Sequence, residues 1–131
     1  MNQCPFCLPN NVIRGDILYE DNLWYFIKAD DGELRNGAMI ITKRHVLTPF
    51  EINKIEWGAL YELLHKFKKY IDEHNPDGYN LGWNINEVAG QNVEHAHLHI
   101  FPRYSDEPLA GKGIRFAFKQ KSNKRTSVNV I

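Results

Sequence analysis

His95-Ala96-His97-Leu98-His99-Ile100-Phe101 alternates imidazoles with apolar side chains. In a strand, successive side chains point to opposite faces. The three histidines then share one face, and Ala96, Leu98 and Ile100 share the other. The apolar face predicts a core contact. The histidine face predicts an opening to a cleft or to solvent, because burying three imidazoles side by side is costly. Half of the chain's six histidines lie in these five positions.

Upstream of this strand, Asn86 to Asn92 reads as a loop carrying Ala89-Gly90-Gln91, and Tyr79 to Asn84 as another strand. Before them comes one long helix. Thr48-Pro49 opens it, since Thr caps and Pro is tolerated in a first turn. Ile52, Ile55, Leu60, Leu63, Leu64, Phe67, Tyr70 and Ile71 form its apolar stripe, and Asn75-Pro76-Asp77-Gly78 stops it. His65 and His74 read as surface or edge residues. Ile17-Leu18-Tyr19, Leu23 to Ile27 and Ala38 to Thr42 are strand-like. One helix among several strands, without regular alternation, argues for an α+β class with a mostly antiparallel sheet. Downstream, Pro102 ends the histidine strand. Ile114, Phe116 and Phe118 alternate, which predicts an edge strand or a partner contact. Beyond Lys119 the chain reads as disordered.

The chain of 131 residues is 43% hydrophobic and 24% charged, an ordinary balance for one soluble domain. No apolar run reaches the roughly 20 residues of a membrane span. The start, Met1-Asn2-Gln3-Cys4, has no secretory pattern, so a cytoplasmic protein is expected. Net charge is zero but unevenly placed: six Lys/Arg and no Asp/Glu lie from residue 111 onward, and residues 1–110 carry a balance of −6. The basic tail is Lys112, Arg115, Lys119, Lys121, Lys124 and Arg125. It either attracts phosphate-bearing ligands or is a solvated tail. With no positive excess elsewhere, a nucleic-acid binder is disfavoured.

Three aligned imidazoles can hold a metal, or supply a nucleophile with flanking partners. A neutral histidine, with an ordinary pKa of about 6.5, suits attack on phosphorus. Asn84, Gly90, Gln91 and Asn92 add amide donors and a glycine that admits a close ligand, which is anion-cradling chemistry. Cys4 and Cys7, spaced Cys-Pro-Phe-Cys, are half of a metal site or two unconnected thiols.

Ala89-Gly90-Gln91-Asn92-Val93-Glu94-His95-Ala96-His97-Leu98-His99-Ile100-Phe101-Pro102-Arg103 resembles the signature of the histidine triad (HIT) superfamily, in its Hint/Fhit-like branch. Cys4-x-x-Cys7, Lys43-Arg44-His45 and the long helix extend the likeness over roughly residues 4–104, leaving 105–131 as a basic C-terminal extension. The resemblance implies a HIT-like fold: a five-stranded antiparallel sheet with one long and one or more short helices, two sheets joining across a homodimer. It implies cleavage at the α-phosphate of a purine nucleotide derivative, such as diadenosine tetraphosphate or a nucleoside phosphoramidate, through a nucleotidyl-histidine. His97 is then the nucleophile, and His99 bonds the phosphate or assists the leaving group. Asn84, Gln91 and Asn92 fall where members place phosphate contacts.

Some members with an N-terminal Cys-x-x-Cys hold a structural zinc, and the resemblance then implicates Cys4, Cys7, His45 and His95, an ordinary tetrahedral set. Zinc on His95 would brace the catalytic strand. The chain departs from the pattern in three places. It has Gly37-Ala38 for Gly-His, Asn86 for a glycine, and Ala29, with Asp30 one residue on, for a ribose-contacting aspartate. Two other readings stand beside the enzyme: a zinc-stabilised nucleotide-binding or interaction module with little turnover, and a metal-dependent oxidoreductase. The last needs a carboxylate ligand, and strand alternation turns Glu94 away from His95.

Overall fold

The computed structural model describes residues 3–13, 15–29 and 33–126. Five strands, β1 (Ile17–Glu20), β2 (Trp24–Lys28), β3 (Ala38–Thr42), β4 (Gly78–Trp83) and β5 (His97–Arg103), form one sheet in the order β1-β2-β3-β5-β4. Every neighbouring pair is antiparallel, as expected. Helix α1 (Lys54–Asp72) crosses between β3 and β4.

The α1 helix begins later than the sequence suggested. Thr48-Pro49 opens a separate one-turn 3-10 helix, Pro49–Glu51, and the α-helix is capped by Asn53. The Asn53 side chain accepts from the Glu56 N–H at 2.8 Å, and the Glu56 carboxylate accepts from the Asn53 N–H at 3.0 Å. This sets the helix phase. Glu56, Leu60, Leu63, Phe67 and Ile71 face inward, whereas Ile55 falls one position off the stripe and is 75% exposed. The side chains of Leu60, Leu63, Phe67 and Ile71 pack on Trp24, Phe26, Ile40, Leu98 and Ile100. Burying those four contributes roughly 6–12 kcal/mol before entropy.

The opposite face of the sheet is covered as well. Phe6, from the N-terminal segment, closes over Tyr25, Ile27 and Ile41, with Cys4, Leu8, Ile13, Met39 and Val93 around them. The Tyr25 hydroxyl donates to the Phe6 carbonyl at 2.5 Å. The sheet is therefore sandwiched between α1 and a short N-terminal strap.

Two further expectations are corrected. β5 starts at His97, so His95 lies ahead of it, and it runs through Pro102 to Arg103 instead of ending at Pro102. Pro102 is tolerated because β3 pairing stops at Ile100, so that end is bonded on one side only. Ile114, Phe116 and Phe118 do not form a strand. Phe116–Lys119 and Lys121–Asn123 are 3-10 turns, so the chain is ordered past Lys119. Among the described residues, no helix is long and apolar enough to cross a membrane.

Candidate active site

His97 lies opposite Ile41 of β3, and His99 opposite both Met39 of β3 and Gly82 of β4. Leu98 and Ile100 join the α1 side, so the two strand histidines point to the other face. Their rings meet edge to face, with centroids 4.9 Å apart. His95 precedes the strand, where the chain bends in from Val46, whose carbonyl accepts the Ala96 N–H at 2.7 Å.

The histidine face is not open, contrary to expectation. His95 is fully buried and His97 is 6% exposed. The reason is the strap: the Phe6 ring stands edge-on over His97 at 4.9 Å and over His95 at 6.2 Å. Each buried imidazole has the hydrogen bond that makes its burial affordable.

His97 Nδ1–H donates to the His95 carbonyl oxygen at 2.7 Å. That contact keeps the proton on Nδ1 and the lone pair on Nε2. Among the described residues Nε2 has no partner, yet no sealed-off side-chain nitrogen or oxygen there lacks one. Nε2 is therefore the part of His97 that reaches solvent. Burial lowers the His97 pKa, against the smaller upward effect of the His95 carbonyl. Burial also lowers that of His99, as does charge on His97. Both rings are thus biased toward the neutral form.

Cys4, Cys7, His45 and His95 converge, with one ligand atom from each lying within 4.8 Å of the others. His95 Nδ1 is 3.3 Å from Cys4 Sγ, 3.5 Å from Cys7 Sγ and 3.2 Å from His45 Nδ1. His45 Nδ1 is 3.1 Å from Cys7 Sγ. The far nitrogen of His95, Nε2, donates to the Thr42 carbonyl at 2.7 Å, which turns the unprotonated Nδ1 into the cluster. Burial, followed by hydrogen bonding and charge from Cys4, pushes the Cys7 thiol up to about 11. A Cys7 thiolate would gain from a nearby cation. The four residues come from three parts of the chain, and together they could hold a metal ion.

The amide residues are placed differently from one another. Asn84 is exposed just past β4, its Nδ2 3.8 Å from where a Gly90 Cβ would stand. The Gln91 side chain is spent on the loop itself. Its Oε1 accepts from the Asn86 N–H at 2.8 Å, and its Nε2 donates to the carbonyls of Leu47 (2.7 Å) and Val93 (3.1 Å). Asn92 is exposed and lines a cavity mouth with Cys4, Pro5 and His45, beside the thiols. Asp30 lies outside the described residues. Ala29 follows β2, and Ala38 is buried in the core. Asn86, in the place of a glycine, has φ 69° and ψ 159°, a region that glycine occupies freely and other residues rarely.

Sequence reasoning missed Phe6 and Thr42. An aromatic between two cysteines was the only signal for the first. Thr42 meets His95 Nε2 with its carbonyl at 2.7 Å and its hydroxyl at 3.1 Å, and a threonine ending a strand does not announce that.

A family model described as "HIT domain" matches residues 10–106. The chain is 33% identical to Protein hit of Bacillus subtilis over 127 residues, covering 92% of this chain and 80% of that one. It is 29% identical to the adenosine 5'-monophosphoramidase of Schizosaccharomyces pombe over 114 residues, covering 84% and 81%. The crystal structure of a HIT family protein from Bacillus anthracis superposes with a TM-score of 0.72 at 30% identity, covering 80% of this chain and 76% of that one.

Proposed function

The chain belongs to the HIT-domain family, and on that premise we propose that it is a nucleotide hydrolase or transferase acting at the α-phosphate of a purine nucleotide derivative. The observation that carries this reading is the state of His97: Nδ1 bonded to the His95 carbonyl at 2.7 Å, with Nε2 left unprotonated at the solvent side. Such an imidazole is oriented before substrate arrives.

In the first half-reaction, Nε2 attacks the α-phosphorus. A P–N bond forms, the bond to the leaving group breaks, and the departing group, within hydrogen-bond reach of neutral His99, takes its proton from solvent. In the second, water attacks the same phosphorus and gives a proton to neutral His99, which returns it to solvent. The P–N bond breaks and a nucleoside monophosphate leaves. The adenosine phosphoramidate handled by the yeast relative is one substrate in this class; a dinucleoside polyphosphate is another. Asn84 and the backbone of the Gly90-Gln91-Asn92 loop are the phosphate contacts of this reading, and Asp30, outside the described residues, is kept as the ribose contact on the resemblance alone.

The cluster fits a structural zinc. Around tetrahedral zinc, neighbouring nitrogen and sulfur ligands stand about 3.3–3.8 Å apart, close to the 3.1–3.5 Å found here. Zinc would neutralise the two thiolates and tie the strap to the end of β3 and the start of β5. The reading also includes a homodimer that joins two sheets, supported by the edge position of β4.

A second reading, a nucleotide-binding module with little turnover, is favoured by one observation, the 6% exposure of His97. Steady-state hydrolysis of adenosine phosphoramidate and diadenosine tetraphosphate separates the two. The enzyme reading expects turnover that His97→Ala removes. Tight adenosine monophosphate binding without turnover of either substrate supports the module instead.

A further inference from the structure

The basic C-terminal extension lies on the same face of the sheet as the strand histidines. Gly82 is opposite His99 and Asn80 is opposite Phe101. Directly opposed residues share a face, and so do residues two apart. Asn80, Gly82, His99, Phe101 and Arg103 are therefore on one side. Arg103 holds the extension there. Its Nη1 donates to Asn80 Oδ1 and to the Lys112 carbonyl, both at 2.7 Å, and its Nη2 donates to the Leu109 carbonyl at 3.0 Å. Two residues further on, Ile114 enters the space that Gly82 leaves beside His99. Its Cδ1 stands 3.7 Å from where a Gly82 Cβ would be. The Phe6 strap thus covers this face at His97, and the C-terminal segment reaches it beside His99.

That segment carries charge without local compensation. From residue 111 onward there are six basic and no acidic residues. Among the described residues, no carboxylate pairs with Lys112 or Arg115, which lie within two positions of Ile114. The segment reaches the histidine face at His99, the residue placed above beside the departing group, and not at the Cys4 end.

We infer that the segment from Lys112 to Lys119 is the leaving-group wall of the site, and that it selects leaving groups that carry phosphate charge. Arg103 is its positioning residue, and Lys112 and Arg115 are its specificity residues. The inference rests on the reading of His97 as a nucleophile at an α-phosphate. It adds that a dinucleoside polyphosphate, which departs as a polyanion, is preferred over a phosphoramidate, which departs as an amine.

The test compares kcat/KM for diadenosine tetraphosphate with kcat/KM for adenosine phosphoramidate, in the full chain. In Lys112→Ala/Arg115→Ala the ratio falls by about tenfold, and the fall shrinks as salt screens the charges. Arg103→Lys keeps the cation but cannot bridge two carbonyls; its ratio falls through KM for the polyphosphate, with the melting temperature recorded alongside. If wild type turns over both substrates and the double variant leaves the ratio unchanged, or both substrates weaken in parallel, the inference is overturned while the nucleophile stands. Wild type that turns over neither substrate overturns both.

Discussion

His95 and His97 are joined through the main chain: the carbonyl of the first accepts the Nδ1–H of the second at 2.7 Å. The same His95 places its side chain among Cys4, Cys7 and His45. One residue thereby couples the thiol cluster to the orientation of the proposed nucleophile. Releasing the cluster is expected to loosen the His95 backbone and with it the hydrogen bond that orients His97.

Metal removal is the direct consequence. Protein purified without chelator should carry about one zinc per chain. Cys7→Ser should lose that metal, melt at a lower temperature by an amount matching about 2–5 kcal/mol, and retain weakened turnover. Elemental analysis and calorimetry check it. A Cys7→Ser protein with unchanged metal content and melting would remove the cluster from its structural role.

Glu56 sets an acid limit on stability. It is 2% exposed, and Arg44 bonds its carboxylate at 2.8 and 3.2 Å. The Arg44 hydrogen bonds outweigh burial and lower its pKa below 4.5. A carboxylate lowered on folding stabilises the fold fully above its unfolded value, and that contribution fades as pH falls through the folded value. Denaturant melts should therefore weaken below about pH 4.5. Glu56→Gln should cost about 1–2 kcal/mol at pH 7, since Arg44 is half exposed, and should flatten the acid limb. An equally steep acid limb in the variant would exonerate Glu56.

Asn86 holds backbone angles that suit glycine. Relieving such strain is worth about 1–3 kcal/mol, offset by about 0.5–1 kcal/mol of glycine chain entropy. Asn86→Gly should raise the melting temperature slightly and leave the Gln91 bridge intact. A lower melting temperature would mean that the Asn86 side chain contributes more than its backbone costs.

What could be read from the residues was what local pattern carries. The apolar stripe marked α1, and the period of two separated Leu98 and Ile100 from His97 and His99. The spacing of Cys4 and Cys7, with the resemblance, marked a cluster that the fold assembles from three distant segments. What stayed hidden depended on long-range closure. Nothing local says that Phe6 folds over His97, so the histidine face read as open. The Gln91 amide reads as a free donor until three backbone groups occupy it. The start of α1 was misplaced because Thr48 and Asn53 are both competent caps, and only the inward position of Glu56 chooses between them. The alternation of Ile114, Phe116 and Phe118 imitates a strand, but the carbonyls of Leu109 and Lys112 are bound by Arg103, which turns the chain back over the sheet.

The central claim is that His97 Nε2 bonds covalently to a nucleotide's α-phosphorus. Intact-protein mass spectrometry after brief mixing with adenosine phosphoramidate and acid quench tests it directly. The account predicts an adenylyl adduct on wild type that persists in His99→Ala and is absent from His97→Ala of native circular dichroism. An adduct retained by His97→Ala, or turnover by wild type with no adduct at any quench time, would contradict it.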